Sequence, residues 1–409
     1  MIKSSSALRE EKPGKVSNNN FFEWLCGFTD GEGVFYIQRV PHTFHFVFRF
    51  EINLHIDDLE LLLFIQKTLG VGKVYTYTKN AYLRVSKQGD IEKLIKIFDN
   101  YYLNTYKYLN FLDFKKAFEL YTSNKKTLEL SQEIANIKSG MNTQRSVLEL
   151  TKYREFRITP YWFLGFVEGE GSFYVSKDQY LRIWFSLGQS SKDLALMEGI
   201  KNFLANLSDV KGTIANYSGA VNLYHNKSEF STLVINHLDY IKTVLIPFFD
   251  SMLFCSKKKL DYRDWKSVIN LKELGLHYTD EGLKIINTIL SQMNNHRLST
   301  SGSKKVDRAL LQTDIDKLLS GSGNLEHRDD GTIFIKSLNR NYSARGKGSF
   351  KVKIQDIQTG SILNIFDTLS DCAKFLGISQ PLASRRLKQS KSFLFEKILV
   401  CIKRVEDNG

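Results

Sequence analysis

From Phe44 onward the chain alternates. Phe44, Phe46, Phe48, Phe50, Ile52, Leu54 and Ile56 are apolar, and His45, Arg49, Glu51, Asn53 and His55 stand between them, with Val47 the one apolar intruder. Period two over this length predicts a strand with one buried face. A helix follows, with Asp57 as N-cap and Glu60 three residues on in a capping-box arrangement. Residues 73–77 and 81–86 read as a hairpin, and 90–101 as a further helix. An apolar, helix-length run containing Phe21, Phe22, Trp24, Leu25 and Phe28 precedes the first strands. The order is helix, two strands, helix, two strands, helix.

The same order returns downstream. Tyr161, Trp162, Phe163, Leu164 and Phe166 form a second apolar run. Then Leu181, Ile183, Phe185 and Leu187 alternate with Tyr180, Arg182, Trp184 and Ser186. A helix is expected to open at Ser190 with Asp193 three on, followed by a hairpin over 212–225 and a helix from Ser228.

Beneath this pattern lies a literal repeat. Gly27-Phe28-Thr29-Asp30-Gly31-Glu32-Gly33-Val34-Phe35-Tyr36 recurs as Gly165-Phe166-Val167-Glu168-Gly169-Glu170-Gly171-Ser172-Phe173-Tyr174, at a constant offset of 138. Lys107 with Asp113, Phe114 and Lys115 matches Lys258 with Asp264, Trp265 and Lys266. Met141, Asn142 and Arg145 match Met293, Asn294 and Arg297. Internal repetition of this kind implies two similar domains in one chain: residues 21–150 and 151–298.

Glycine costs a helix about 1 kcal/mol against alanine, yet Gly27 and Gly31, like Gly165 and Gly169, share one helix face. Close backbone approach is the physical reason for such a face. The two motif helices are therefore expected to pack on each other about a pseudo-twofold axis, with Gly33 and Gly171 as the flexible residues that end them. Glu32 and Glu170 then fall at adjacent helix C-termini, where the macrodipole and each other's charge oppose them. Divalent cations held by these carboxylates, with carbonyls freed at the helix ends near Gly31 and Gly169, would compensate. Paired carboxylates with bound metal suit attack of water on a phosphodiester.

Composition narrows the partner. The 409 residues carry a formal net charge of +13 and a pI near 9.3, which points to a polyanion, nucleic acid before membrane surface. No apolar run reaches the length of a membrane span. Cys26, Cys255, Cys372 and Cys401 form no CxxC pattern, so neither a zinc ribbon nor a disulfide framework is indicated. The first twenty residues read as a disordered lead-in and resemble no targeting peptide. An antiparallel sheet with one apolar face can present the other face to the DNA major groove. Expected contacts are Arg39, His45, Arg49, Asn53, Tyr75 and Arg84 in the first domain, and Lys177, Arg182, Trp184 and Asn222 in the second.

Residues 299–349, rich in Ser, Gly and Lys around one short amphipathic helix at 307–319, read as a connector. Beyond it, Phe350, Val352 and Ile354 alternate as a strand. Ala373, Gly377 and Pro381 are spaced as in a helix-turn-helix whose second helix carries Arg385 and Arg386, further expected DNA contacts. This makes 350–409 a separate module.

The residues resemble the LAGLIDADG homing endonucleases, in particular the single-chain, two-motif type of mitochondrial introns. Leu25 to Gly33 and Phe163 to Gly171 stand where the nine-residue motif stands, and its essential metal-binding acid falls on Glu32 and Glu170. Both copies carry glycine at the seventh position and Glu at the eighth, choices the family tolerates. The resemblance spans roughly residues 21–298, and 350–402 is similar to a helix-turn-helix module often appended to such nucleases. It implies an α+β fold of two pseudo-symmetric αββαββα domains forming a saddle, with DNA-facing antiparallel sheets. A monomer would use Mg2+, with Mn2+ as substitute and Ca2+ binding without turnover. It would cut both strands of a long asymmetric double-stranded DNA target and leave short 3′ overhangs. Lys107 and Lys258 match the region that supplies a basic residue to each active site, with Lys257 and Lys259 as alternatives in the second. A mitochondrial, organelle-encoded protein without membrane association is implied. An RNA maturase acting on its own intron RNA is the alternative activity, and a catalytically inactive DNA-binding regulator comes third.

Overall fold

A computed structural model describes residues 17–142, 155–178, 181–207, 217, 219–226, 229–329, 331–342, 351–366, 368–389, 391–396 and 398–405. The chain divides into two compact units, residues 1–323 and 324–409.

The first unit holds the two repeats. Helix α1 (Asn18–Glu32) starts where the Ser17 hydroxyl accepts from the Asn20 amide, then leads directly into β1 (Gly33–Arg39) and β2 (Phe46–His55). α2 (Leu59–Leu69), β3 (Lys73–Thr76), β4 (Asn80–Val85) and α3 (Gln88–Asn100) follow. The sheet order is β1-β2-β4-β3, all pairs antiparallel. α4 (Lys107–Ser123) and α5 (Leu128–Ser139) complete the half. Its sheet is covered on one face, where Phe35 and Phe50 pair across the strands and meet Phe98, Phe111 and Phe114.

The second half repeats this order. α6 (Pro160–Glu170) is capped by the Thr159 hydroxyl, with proline in its first turn where no amide is needed. β5 (Gly171–Val175), β6 (Ile183–Ser190), α7 (Leu194–Asn206), β7 (Val221–Asn226) and β8 (Phe230–Ile235) give the sheet β5-β6-β8-β7. α8 (Leu238–Tyr240) passes through a π-turn into α9 (Ile246–Asp250), and α10 (Lys258–Glu273) and α11 (Asp280–Leu290) follow. Phe173, Phe185, Phe249, Tyr262 and Trp265 fill the core. Matching ion pairs, Lys115 with Asp99 and Lys266 with Asp250, tie α4 and α10 to the preceding helix of their own half.

α1 and α6 join the halves. A Cβ on Gly27 would lie 1.9 Å from the Trp162 carbonyl oxygen, and one on Gly165 would lie 2.0 Å from that of Trp24. One on Gly31 would come within 3.3 Å of the Gly169 Cα, and the reverse holds for Gly169. The two backbones are in direct contact along both glycine pairs.

Several local expectations are corrected. Gly33 and Gly171 are extended, with φ of −80° and −73°, so a left-handed conformation is not why they are glycine. A Cβ at either would strike the side chain of Thr29 or Val167, at 2.6 and 2.7 Å. Asp57 caps no α-helix: a 3-10 turn (Ile56–Asp58) intervenes, and the Asp57 carboxylate accepts from the Ser299 amide. Ser190 does cap, but its turn is again 3-10, and α7 starts at Leu194. Phe44 is exposed because the strand begins only at Phe46. The second hairpin is β7–β8, so the helix expected from Ser228 is replaced by a strand whose Ser231, Leu233 and Ile235 face the core. Tyr180, Arg145 and much of 212–225 lie outside the described residues, as does most of the N-terminal lead-in.

The expected connector holds more structure than one helix. α12 (Arg308–Leu319) packs on α10 and α11, with Arg308 ion-paired to Asp264. The second unit opens with a small sheet of β9 (Leu325–His327), β10 (Ile333–Ile335) and β11 (Arg340–Asn341). It continues with β12 (Val352–Asp356), β13 (Ile362–Phe366), α13 (Leu369–Phe375), α14 (Gln380–Gln389), β14 (Phe393–Phe395) and β15 (Ile398–Arg404), the strands ordered β13-β12-β15-β14. The turn between α13 and α14 uses Gly377 at φ 62°. Cys372, Ala373 and Ala383 pack with Val352, Ile354, Val400 and Ile402. The two helices thus share a core with a four-stranded sheet, which sequence patterning had not indicated.

The glycine contacts set a clear expectation. Gly165→Ala, which drives a methyl into main-chain atoms, should destabilise by about 3 kcal/mol or more. Gly89→Ala, where a Cβ meets nothing within 4 Å, should stay within about 1 kcal/mol of the parent. Equal denaturation midpoints for the two variants would refute the close-packing account.

Candidate active site

The meeting of α1 and α6 delivers two acids. Glu32 and Glu170 are the last residues of the two helices, one residue beyond the touching pair Gly31 and Gly169. Both carboxyls are held above the usual carboxylate range, chiefly by burial. For Glu32 the charge of Glu170 adds to the effect, while Lys107 and Lys258 oppose it. Gln189 hydrogen-bonds Glu170. Glu32 lines a cavity of about 520 Å³ together with Asp58, Gly169, Gly171, Lys258 and Asp261, among others.

Two lysines reach the same helix ends. Lys107, the first residue of α4, donates through Nζ to the carbonyl oxygens of Thr29 (3.2 Å) and Gly31 (2.5 Å). Lys258, the first residue of α10, donates to that of Gly171 at 2.6 Å. Its neighbour Lys257 instead offers its backbone amide to Asp58, so among the three consecutive lysines Lys258 is the one directed at the motif helix. Burial lowers the affinity of both lysines for their protons, and the nearby carboxylates oppose that effect.

Sequence reasoning passed over the other acid of each motif. Asp30 and Glu168 are 1% and 4% exposed. The Asp30 carboxylate accepts from the amides of Asn104 (2.7 Å) and Thr105 (3.0 Å), the Thr105 hydroxyl and the Trp162 indole (2.8 Å). Glu168 accepts from the amides of Cys255 (2.9 Å) and Ser256 and from the Trp24 indole (2.9 Å). Each acid therefore anchors the loop leading to a lysine and also takes the indole N–H of the opposite motif helix. The signal was present: Trp24 and Asp30, and Trp162 and Glu168, repeat at the same offset of 138, and a buried indole needs an acceptor.

Oxygen donors dominate the helix ends: two carboxylates and nearby main-chain carbonyls. Among the described residues no cluster of three His, Cys, Asp or Glu gathers as a metal cage. Such a donor set fits a hard divalent cation that keeps water and substrate oxygens in its shell, and not a soft metal.

The expected nucleic-acid contacts fall into distinct groups. Arg49, Asn53 and Arg84 lie on the polar face of the first sheet, where Arg49 and Arg84 both pair with Glu51 and lie over the rings of Tyr36 and Tyr75. Tyr75 is exposed on the same face. Arg39 falls elsewhere: it ends β1 opposite Phe46 and, with His45, lines a cavity at the β1–β2 turn. His45 bonds the Tyr121 hydroxyl of α4. On the second sheet Trp184 stacks on Tyr174 at 4.2 Å, and Asn222 donates to the Gly219 carbonyl. Lys177 is exposed after β5, and Arg182 pairs with Asp178 before β6. In the second unit Arg385 is exposed, whereas Arg386 covers the Phe393 ring at 3.8 Å.

Two such repeats, each a glycine-faced helix ending in a carboxylate and continuing into an antiparallel sheet, match the LAGLIDADG endonuclease model over residues 25–118 and 163–269. The chain belongs to that family. It is 27% identical over 307 residues to the uncharacterized mitochondrial protein RF1 of Saccharomyces cerevisiae, covering 71% of this chain and 64% of that one. It is 29% identical over 300 residues to probable intron-encoded endonuclease 3 of Neurospora crassa, covering 66% and 54%. These curated relatives are therefore matched over less than two thirds of their own length. Among solved structures, the LAGLIDADG homing endonuclease I-GzeII in complex with DNA target superposes with a TM-score of 0.58 at 28% identity, covering 68% of this chain and 99% of that one.

The crossed indole bonds are testable. Trp24→Phe and Trp162→Phe keep an aromatic body but leave Glu168 or Asp30 without one donor, which should cost about 1–3 kcal/mol each in chemical denaturation. Unchanged midpoints in both variants would show that these bonds contribute nothing.

Proposed function

We propose that this chain is a mitochondrial, intron-encoded, site-specific double-strand DNA endonuclease that acts as a monomer on a long asymmetric target. The observation that carries the reading is the doubled set of one carboxylate and one lysine at the touching ends of α1 and α6. Two such centres in one chain would let it cut both strands of a duplex in a single encounter. The polar faces of the two sheets differ in residue type, in keeping with an asymmetric target, and the relative I-GzeII was solved with a DNA target. The formal charge of +13 favours the same partner.

Glu32 and Glu170, with the carbonyl of Gly169 and that of Gly31 once the Lys107 ammonium gives way on it, would hold divalent cations, Mg2+ first and Mn2+ as substitute. When bound, such an ion supplies a polarised water and charge to offset the phosphorane. The protein's own residues do the rest. Lys107 and Lys258, held beside the helix ends, bring positive charge to the scissile phosphates or assist deprotonation of the attacking water. Arg49, Arg84, Asn53, Tyr75, Trp184 and Asn222 face the grooves, and Arg39, His45, Lys177 and Arg182 flank them at strand ends. Arg385 of α14 adds a phosphate contact.

A plasmid bearing the intron-less junction of the host gene should be linearised in Mg2+. Glu32→Gln and Glu170→Gln keep size but remove charge, so each should lower double-strand cleavage on the order of a hundredfold or more while binding persists. Ca2+ should support binding without turnover. Full cleavage by Glu170→Gln would remove the assignment, and stimulation of intron splicing without plasmid cleavage would favour a maturase.

A chain ending at Gly323 retains both carboxylates and both sheets. It should cleave bound DNA, give a footprint shortened on one side, and show a salt slope reduced by about 0.9 per lost phosphate contact. An identical footprint and slope would mean the second unit does not touch this DNA.

A further inference from the structure

Each lysine-bearing helix is held at its start by an acid from the other repeat. The Asp193 carboxylate, just ahead of α7, accepts the Tyr106 amide at 2.8 Å, and Tyr106 immediately precedes Lys107. In the matching place Asp58, just ahead of α2, accepts the Lys257 amide at 3.3 Å, and Lys257 immediately precedes Lys258. Each acid is the last residue of a 3-10 turn, and neither caps its own helix with its side chain.

Three consecutive amides are thereby bound in each loop. Those of Asn104 and Thr105 go to Asp30 of the same half, and that of Tyr106 goes to Asp193 of the opposite half. Those of Cys255 and Ser256 go to Glu168 of the same half, and that of Lys257 goes to Asp58 of the opposite half. The amides of Lys107 and Lys258 then bond the side-chain oxygens of Thr105 and Ser256. The backbone entering each lysine is therefore fixed from both halves.

Asp193 is 3% exposed, and its second oxygen is buried without a hydrogen-bond partner in the structure. An incompletely satisfied buried carboxylate is destabilising. Retaining one here breaks a local rule at a functional site, which is where such breaks are expected. Asp58 lines the same cavity as Glu32 and Lys258.

We infer that Asp58 and Asp193 are positioning residues that complete each active site across the repeat boundary: Asp58 of the first half holds the loop that delivers Lys258 of the second, and Asp193 of the second half holds the loop that delivers Lys107 of the first. The inference rests on the endonuclease reading and extends it to which residues act on which strand. Each half alone lacks a complete centre, so cutting of either strand depends on correct docking of α1 on α6.

Single-turnover cleavage of a duplex spanning the intron-less junction, labelled separately on each strand, tests the pairing. Asp193→Ala should slow, at least tenfold, the same strand that Lys107→Ala slows, and nicked DNA should accumulate. Asp58→Ala should slow the opposite strand, the one slowed by Lys258→Ala. Asp193→Asn and Asp58→Asn keep an oxygen acceptor and should recover most of the lost rate. Should Asp193→Ala fail to fold, the partly exposed Asp58 and the two Asn variants still decide the matter. Equal slowing of both strands, or slowing of the wrong strand, overturns the inference. Failure of the wild-type protein to cut either strand would instead overturn the endonuclease reading.

Discussion

The main-chain contact between α1 and α6 is the constraint on which the rest of the first unit depends. Four glycines let two helices meet without side chains between them, so the carbonyl oxygens of Trp24 and Trp162 occupy the space a Cβ would need. At that separation the helix ends cannot avoid one another. Whatever residues end the helices are forced together, and here they are glutamates. The electrostatic penalty is built into the geometry, and the lysines from α4 and α10 are the protein's own partial answer to it.

The two acids of each motif have opposite fates because they are two residues apart on a helix. Positions i and i+2 lie about 200° apart at 3.6 residues per turn, so one acid points inward and the other toward the helix end and its opening. Asp30 and Glu168 go inward and are saturated with amide, hydroxyl and indole donors. Their charge is spent on building the site: they fix the loops from which the lysines emerge. Glu32 and Glu170 remain open to a ligand. One short peptide thus contributes both scaffold and chemistry.

Symmetry holds at this centre and fades away from it. Ion pairs Lys115–Asp99 and Lys266–Asp250, the capped loops and the sheet orders repeat faithfully. The outward sheet faces do not. The first carries Arg49 and Arg84 around Glu51, a guanidinium-rich surface with little freedom. The second presents the Tyr174–Trp184 stack at the corresponding strands. On the proposed reading the conserved centre serves the chemistry, and the divergent outward faces suit a target without symmetry.

Much of this protein is legible without coordinates. The duplication, the alternating strand at 46–55, the glycine faces and the acids Glu32 and Glu170 follow from periodicity and from residues whose presence is costly unless backbones meet. Those features are local, or repeat at a fixed offset, and local rules govern them. Other features were decided by tertiary structure. Gly33 and Gly171 are glycine for space and not for backbone freedom, because Thr29 and Val167 fill the place of a Cβ. Asp57, placed like a helix cap, is drawn to the Ser299 amide, and residues 230–235 form a strand because β6 offers them a partner edge. Asp58 and Asp193 hold loops in the opposite repeat, and no spacing within one repeat encodes a bond to the other. A sequence pattern records which face of an element is apolar. Which distant backbone amide a buried carboxylate will meet is settled only when the two halves pack.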